Sequence, residues 1–366
     1  MTGQQGLLDE LEDALTRHDI GRRAEILRRV ADLFVATSSQ YSEEQIALFD
    51  DVMSRLVEEI DISARVVFGQ WLAVNPDAPP NFMRALALDD EIAVAEPVLL
   101  QSDRIDEVTL VESAKTKSQD HLLAISRRQD LAEAVTDVLV ERGNSEVALS
   151  TARNASAKFS EFGYSTLVKR SRDDDGLALS VWARPEIPRQ HMLQLFERAS
   201  EAVRTKLEAD DPRKAGLIRS LVVNASDRIQ SDARNTILGY ADKRTRIEAL
   251  HAAGGLNAAK LEALARDKLF DEAAIALSIM SDLPTGLVER ALISDRAEQI
   301  LILAKAIGLG WETTREILLL KSGSAGRSNQ ELDQCATTFA RLQLATAKQA
   351  IGFYRLRERA AASAAQ

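Results

Sequence analysis

The sequence predicts an all-α chain: an α-solenoid of short helix-pair repeats followed by a C-terminal helical bundle. Three observations carry that expectation. Aromatic residues make up only 5% of the 366 positions, while Ala and Leu abound. This mix favours close helix packing, because strands draw on β-branched and aromatic side chains. Five turn-like windows recur, centred on Asn75, Gln101, Arg128, Asn154 and Arg184, at separations of 26, 27, 26 and 30 residues. No segment alternates apolar and polar residues with the period of two that marks a half-buried strand.

The elements follow in chain order. Residues 24–36 place Ile26, Leu27, Val30, Leu33 and Phe34 at helical spacing. Ser42, with Gln45 three residues on, forms a capping-box pattern ahead of a second helix whose apolar face is Ile46, Phe49, Met53, Leu56 and Val57. A third helix spans 62–74. Each turn window then has an apolar helix before it and a short helix after it, at 82–86, 108–114, 135–140, 164–168 and 192–196. A helix of about ten residues is marginal alone. Pairs stacked at a near-constant stride share one continuous core, so the repeat itself has a physical cause. Pro76 and Pro185 stop helices, and Pro79 and Pro188 stand where new ones start.

Past residue 189 the stride is lost. Two longer helices, 189–208 and 214–240, flank Asp210-Asp211-Pro212, and a helix over 245–253 stops at Gly254-Gly255. Shorter helices follow at 258–268, 271–280, 285–293, 297–307 and 312–321. A Gly- and Ser-rich loop covers 322–330, and one long helix covers 331–359. The expected organisation is 1–72 as capping helices, 73–200 as the repeat array and 201–366 as a helical domain.

The windows holding Asn75-Pro76 and Arg184-Pro185, each followed by a helix, resemble leucine-rich-variant and HEAT-type repeats. A more specific likeness is carried by Glu96-Pro97-Val98-Leu99, by the stretch from His121 to Arg128, by 135–143, and by 303–313. These resemble a bacterial family known as domain of unknown function 2336, over about 25–355. The resemblance implies a helical-repeat fold and transfers no activity and no site residue.

The charge balance bounds the function. The net charge is −10, and residues 85–174 hold 11 basic and 17 acidic residues. Nucleic-acid binders draw affinity from a basic face, so a nucleic-acid partner is not expected. The single cysteine, Cys335, can form neither an internal disulfide nor a Cys-rich zinc site. With no basic, apolar leader and no span-length apolar run, a cytoplasmic protein without a transmembrane segment is expected.

The candidate chemistry is thin. His18, His121, His191 and His251 lack partners at metal spacing, and Cys335 has no base beside it. Lys321-Ser322-Gly323 is out of phosphate-loop order, and Asp173-Asp174-Asp175 lacks the distal Glu of a calcium loop. No catalytic residue, metal or cofactor is expected. The remaining site hypothesis is Arg127, Arg128, Arg153 and Arg184, which recur at or beside the turn windows. Stacked on one face, their guanidinium groups could hold an acidic peptide or a phosphate. The plainer alternative pairs them with Asp130, Asp137 or Glu186. Phe353, Tyr354, Arg355, Arg357 and Arg359 near the C-terminus suit a partner helix or, more simply, the helix dipole. The expected function is a protein-interaction scaffold or regulator whose partner is another protein, with small-molecule binding undetermined. Nucleic-acid binding and an enzyme with a dispersed site are the alternatives.

Overall fold

Short helices that cannot bury a face alone are the building unit of the first half of the chain. The computed structural model describes residues 20–37, 42–57, 60–236, 239–294, 296–322 and 328–364. Among the described residues every regular element is helical and none is a strand. The chain divides into two units, Met1–Arg184 and Pro185–Gln366. That single division leaves position 72/73 inside the first unit, and 200/201 falls within a helix of the second.

The first unit holds α1 (Ile20–Thr37), α2 (Glu43–Val57), α3 (Ile62–Leu72), α4 (Pro80–Ala87), α5 (Ile92–Gln101), α6 (Glu107–Thr116), α7 (Gln119–Ser126), α8 (Glu133–Arg142), α9 (Ser145–Arg153), α10 (Glu161–Arg170) and α11 (Asp175–Trp182). Each packs on the next but one, from α1 on α3 to α9 on α11, so odd- and even-numbered helices form two series. The reason is in the buried residues. Val94 and Val98 of α5, Leu122 and Ile125 of α7, and Ala148 and Ala152 of α9 show three- and four-residue spacing of buried apolar residues. Gly69 permits a close approach of α3 to α5, since a Cβ there would stand 2.8 Å from the Val94 carbonyl oxygen.

The helix starts carry their own signals. The Ser42 backbone N–H donates to Gln45 Oε1 at 2.9 Å and the Gln45 N–H reaches Ser42 Oγ at 3.4 Å, the reciprocal pair of a capping box. Asp61, Asp106, Asn144, Ser160 and Asp174 cap α3, α6, α9, α10 and α11 with their side chains. Helix α4 starts after Pro79, which has no such group. Its cap comes from α2: buried Asp50 accepts from the N–H groups of Asn81 at 3.0 Å and Phe82 at 2.7 Å.

The second unit holds α12 (Arg189–Asp210), α13 (Ala215–Thr236), α14 (Tyr240–Ala252), α15 (Ala258–Arg266), α16 (Phe270–Ser281), α17 (Thr285–Ile293), α18 (Glu298–Ala306), α19 (Trp311–Ser322), α20 (Asn329–Arg341) and α21 (Leu344–Ala364). Helix α16 is its centre, buried from Phe270 through Leu277 with contacts to α14, α15 and α17. Two expected helices are corrected here. Tyr240 opens α14 instead of closing α13, because Gly239 takes a left-handed φ of +81° that only glycine adopts at low cost. The single helix expected over 331–359 is two, broken at an extended Leu342 with no Gly or Pro to mark it. Tertiary contacts fix the end of α20. The Lys305 ammonium donates to the Phe339 carbonyl at 3.1 Å and sits 4.6 Å over its ring, and Trp311 packs beside it at 5.9 Å. Most of the loop at 322–330 lies outside the described residues, but Ser328 and Glu331 close a capping box at the start of α20.

Candidate interaction surfaces

The end of a helix leaves carbonyl groups without partners, and buried carbonyls must find donors. In the first unit the donors come from turn residues 26 to 32 positions further along the chain. The Arg104 Nε donates to the Ala78 carbonyl at 3.1 Å. Arg128 donates to the carbonyls of Leu99 and Ser102. The Asn154 side-chain amide donates to those of Ser126 and Arg128 at 2.9 and 2.7 Å. Arg184 donates to those of Ala152, Asn154 and Ala157 at 3.1, 2.8 and 2.6 Å. Each bond spans 26 to 32 residues, and together they link residue 184 to 154, 154 to 128 and 128 to 102. Arg184 is only 6% exposed and lies 4.7 Å over the Phe159 ring. Burial lowers the Arg128 pKa, with Asp103 opposing.

The four expected arginines therefore separate into two kinds. Arg128 and Arg184 aim their guanidinium groups inward at main-chain oxygens. Arg127, at the end of α7, and Arg153, at the end of α9, are exposed at equivalent positions 26 residues apart. The Arg153 Nε reaches Ser180 Oγ at 3.4 Å. Gln101 ends α5, and the stapling role in its repeat falls to Arg104. Its signal in the sequence was a basic residue just after the window, three places later than the others.

The other singled-out residues are structural neighbours of this scheme. His121 is buried, with Nδ1 2.7 Å from Ser118 Oγ and Nε2 3.0 Å from the Asp89 carbonyl. His191 is buried beside Gln194, and His251 is exposed. His18 lies outside the described residues. Asp174 caps α11. Cys335 is a buried free thiol. Arg355 donates to the Ser281 carbonyl at the end of α16, while the side chains of Arg357 and Arg359 lie outside the described residues. Among the described residues no group of three or more His, Cys, Asp and Glu could hold a metal ion, and no helix is long and apolar enough to cross a membrane.

The sequence reading missed a buried ion network in the second unit. Arg189 Nη1 meets Asp271 Oδ1 at 2.9 Å and Glu289 Oε1 at 2.7 Å. Arg234 meets the other Glu289 oxygen at 2.8 Å, Lys243 meets Asp271 at 2.9 Å, and Arg246 meets Glu272 at 2.8 Å. The Glu289 side chain is 1% exposed. Arg189 lies 5.3 Å from the centre of the Tyr240 ring, and its Nε and Nη2 have no hydrogen-bond partner among the described residues. Burial pulls the Arg189 pKa down, but Glu289 and Asp271 outweigh it and hold the group above its usual value. Burial, with Glu289 adding to it, pushes the Tyr240 phenol up to about 12. The pairs span up to 100 residues, so no local spacing could announce them.

Two open surfaces lie in the second unit. A groove of about 610 Å³ runs between α12, α17, α18 and α21, with Leu287, Ala291 and Ile302 among its apolar lining and Arg198, Arg290 and Arg296 among its charged lining. The second is the hairpin of α12 and α13. Its facing residues are fixed by Ser226 Oγ donating to Ser200 Oγ at 3.0 Å and by Arg219 meeting Glu208 at 3.4 Å. Beside that seam Val203 and Leu207 of α12 and Leu217, Leu221 and Ile229 of α13 are 54%, 44%, 57%, 58% and 54% exposed.

No curated protein and no solved structure matches the chain. A family model described as an uncharacterised protein conserved in bacteria (DUF2336) matches residues 94–352. The match runs from α5 into α21, most of the chain, and the protein belongs to this bacterial family.

Proposed function

We propose that this protein is a protein-interaction scaffold whose first unit is an α-solenoid of HEAT-like helix pairs. One observation carries the reading. The turn side chains Arg104, Arg128, Asn154 and Arg184 are each spent on carbonyls 26 to 32 residues earlier in the chain. A stack built that way repeats its outward positions as well, and such a surface suits an extended partner. Arg127 and Arg153 are outward basic positions in two successive windows, and they favour an acidic segment of another protein. The step from architecture to recognition is an analogy with solenoids in general. A bacterial cytoplasm is the expected setting, in keeping with one buried thiol.

Site-specific photo-crosslinking in native cells tests the proposal. A photoreactive amino acid at position 127 or 153 is expected to trap the same discrete protein, and one at the exposed Lys115 position of α6 is expected to trap none. Equal yields at all three positions would contradict the reading. A complex with DNA or RNA that weakens steeply with salt would favour the nucleic-acid alternative instead.

A further inference from the structure

Helices α7, α9 and α11 present matching side chains in register. Five places before the carbonyl-binding residues Arg128, Asn154 and Arg184 stand Leu123, Leu149 and Leu179, and one place before the first two stand Arg127 and Arg153. A leucine and an arginine four residues apart share one helix face. Both arginines are exposed, Leu179 is 69% exposed, and Leu123 and Leu149 are half-buried. The three helices pack side by side. Ser126 Oγ donates to Ser150 Oγ at 2.7 Å between α7 and α9, and Arg153 Nε donates to Ser180 Oγ at 3.4 Å between α9 and α11. The face thus carries a row of three leucines and, one helical turn away, two arginines. Neither arginine makes an ion pair among the described residues. Trp182, three residues after Leu179 and 43% exposed, stands at the α11 end of both rows.

We infer that this face binds an acidic segment in the polyproline II conformation, laid across α7, α9 and α11. Two carboxylates three residues apart meet Arg127 and Arg153, and a proline three residues further on meets Trp182 and Leu179. Charge selects the acidic residues, because two unspent guanidinium groups stand in a chain of net charge −10. The step between helices selects the conformation. Packed helices lie about 8–10 Å apart. A polyproline II chain turns a side chain the same way every three residues, about 9 Å. A β-strand does so every two residues, about 7 Å, and falls out of step. An α-helix turns every 5.4 Å or so, and only its alternate turns would meet an arginine. The exposed indole of Trp182 selects the proline, since aromatic faces dock proline rings. The inference rests on the scaffold reading and names what that scaffold holds.

Fluorescence anisotropy of the full chain tests it, with a labelled proline-rich nonapeptide carrying two glutamates three residues apart. Binding is expected below about 1 mM. Arg127→Ala and Arg153→Ala are each expected to weaken it about tenfold, the worth of one charge-assisted pair, and Trp182→Ala to weaken it as well. All three side chains are exposed, so circular dichroism is expected to show native helicity in the variants. Lys115→Ala is expected to leave binding unchanged. A peptide of the same composition with its glutamates four residues apart is expected to bind at least tenfold more weakly. No binding by about 1 mM overturns the inference. So does equal binding of the two peptides, binding that both arginine variants leave unchanged, or tighter binding by an alanine-rich helical peptide with glutamates seven residues apart. Crosslinks at positions 127 and 153 that still trap one protein would then spare the scaffold reading, and their absence would remove both.

Discussion

The two units bury polar groups in opposite ways. In the first, guanidinium and amide groups reach main-chain oxygens 26 to 32 residues earlier. In the second, Lys243 and Arg246 pair with Asp271 and Glu272 over a similar distance, but Arg189 and Arg234 reach Asp271 and Glu289 across 55 to 100 residues and join them into one network. The first arrangement is a row of separate staples; the second is one knot. Removing a staple uncovers one to three carbonyls. Removing a member of the knot strands charges on several helices, and an unpaired buried charge is the more expensive fault.

That contrast sets an order of expected effects. Glu289→Ala leaves Arg234 without its buried carboxylate and Arg189 with Asp271 alone, and is expected to cost about 3–5 kcal/mol. Urea denaturation measures it, and a loss below 1 kcal/mol would mean that water reaches the network. Arg184→Ala frees the carbonyls of Ala152, Asn154 and Ala157, with an expected cost of about 2–3 kcal/mol by the same measurement. Asp50→Ala, which uncaps α4 from a distance, is expected to cost about 1–2 kcal/mol. If the staples are independent, the costs of Arg104→Ala and Arg184→Ala add within about 0.5 kcal/mol in the double variant. Strong coupling between them would erase the distinction between the two units.

The smallest expected effect is a pH dependence. Tyr240 is raised from 10.0 to about 12 in the folded state. Folding thus favours the neutral phenol, and stability from this group is intact below pH 10. It falls as pH rises from 10 toward 12, because the unfolded chain releases the proton first. Thermal melts of the native protein and Tyr240→Phe are expected to run parallel below pH 10. Above it the native protein loses stability relative to the variant. Parallel curves through pH 12 would remove Tyr240 from the network.

The same contrast explains what could be read in advance. The repeat stride, the capping boxes at Ser42 and the all-helical class rest on residues near each other in sequence, and periodicity reports such relations. The windows at Arg128, Asn154 and Arg184 were legible as turns. Their use as donors was not, because it depends on which carbonyl lies one repeat back. Asp50 carries no local signal of its role, because the N–H groups it caps on α4 lie more than thirty residues away. The break at Leu342 has no Gly or Pro and depends on Lys305 and Phe339 meeting across the unit. The ion network is the extreme case: Arg189 opens α12 as an ordinary surface charge in sequence, and only the fold brings it to Glu289.

Hydrogen exchange resolved along the chain tests the division of labour most directly, by comparing Arg128→Ala with Glu289→Ala. The expected result for Arg128→Ala is lost protection in α5 to α9 that fades toward α2 and α11. The expected result for Glu289→Ala is a common loss across α12, α13, α14, α16 and α17. Uniform loss over the first unit in Arg128→Ala, or loss confined to α17 in Glu289→Ala, would contradict the account.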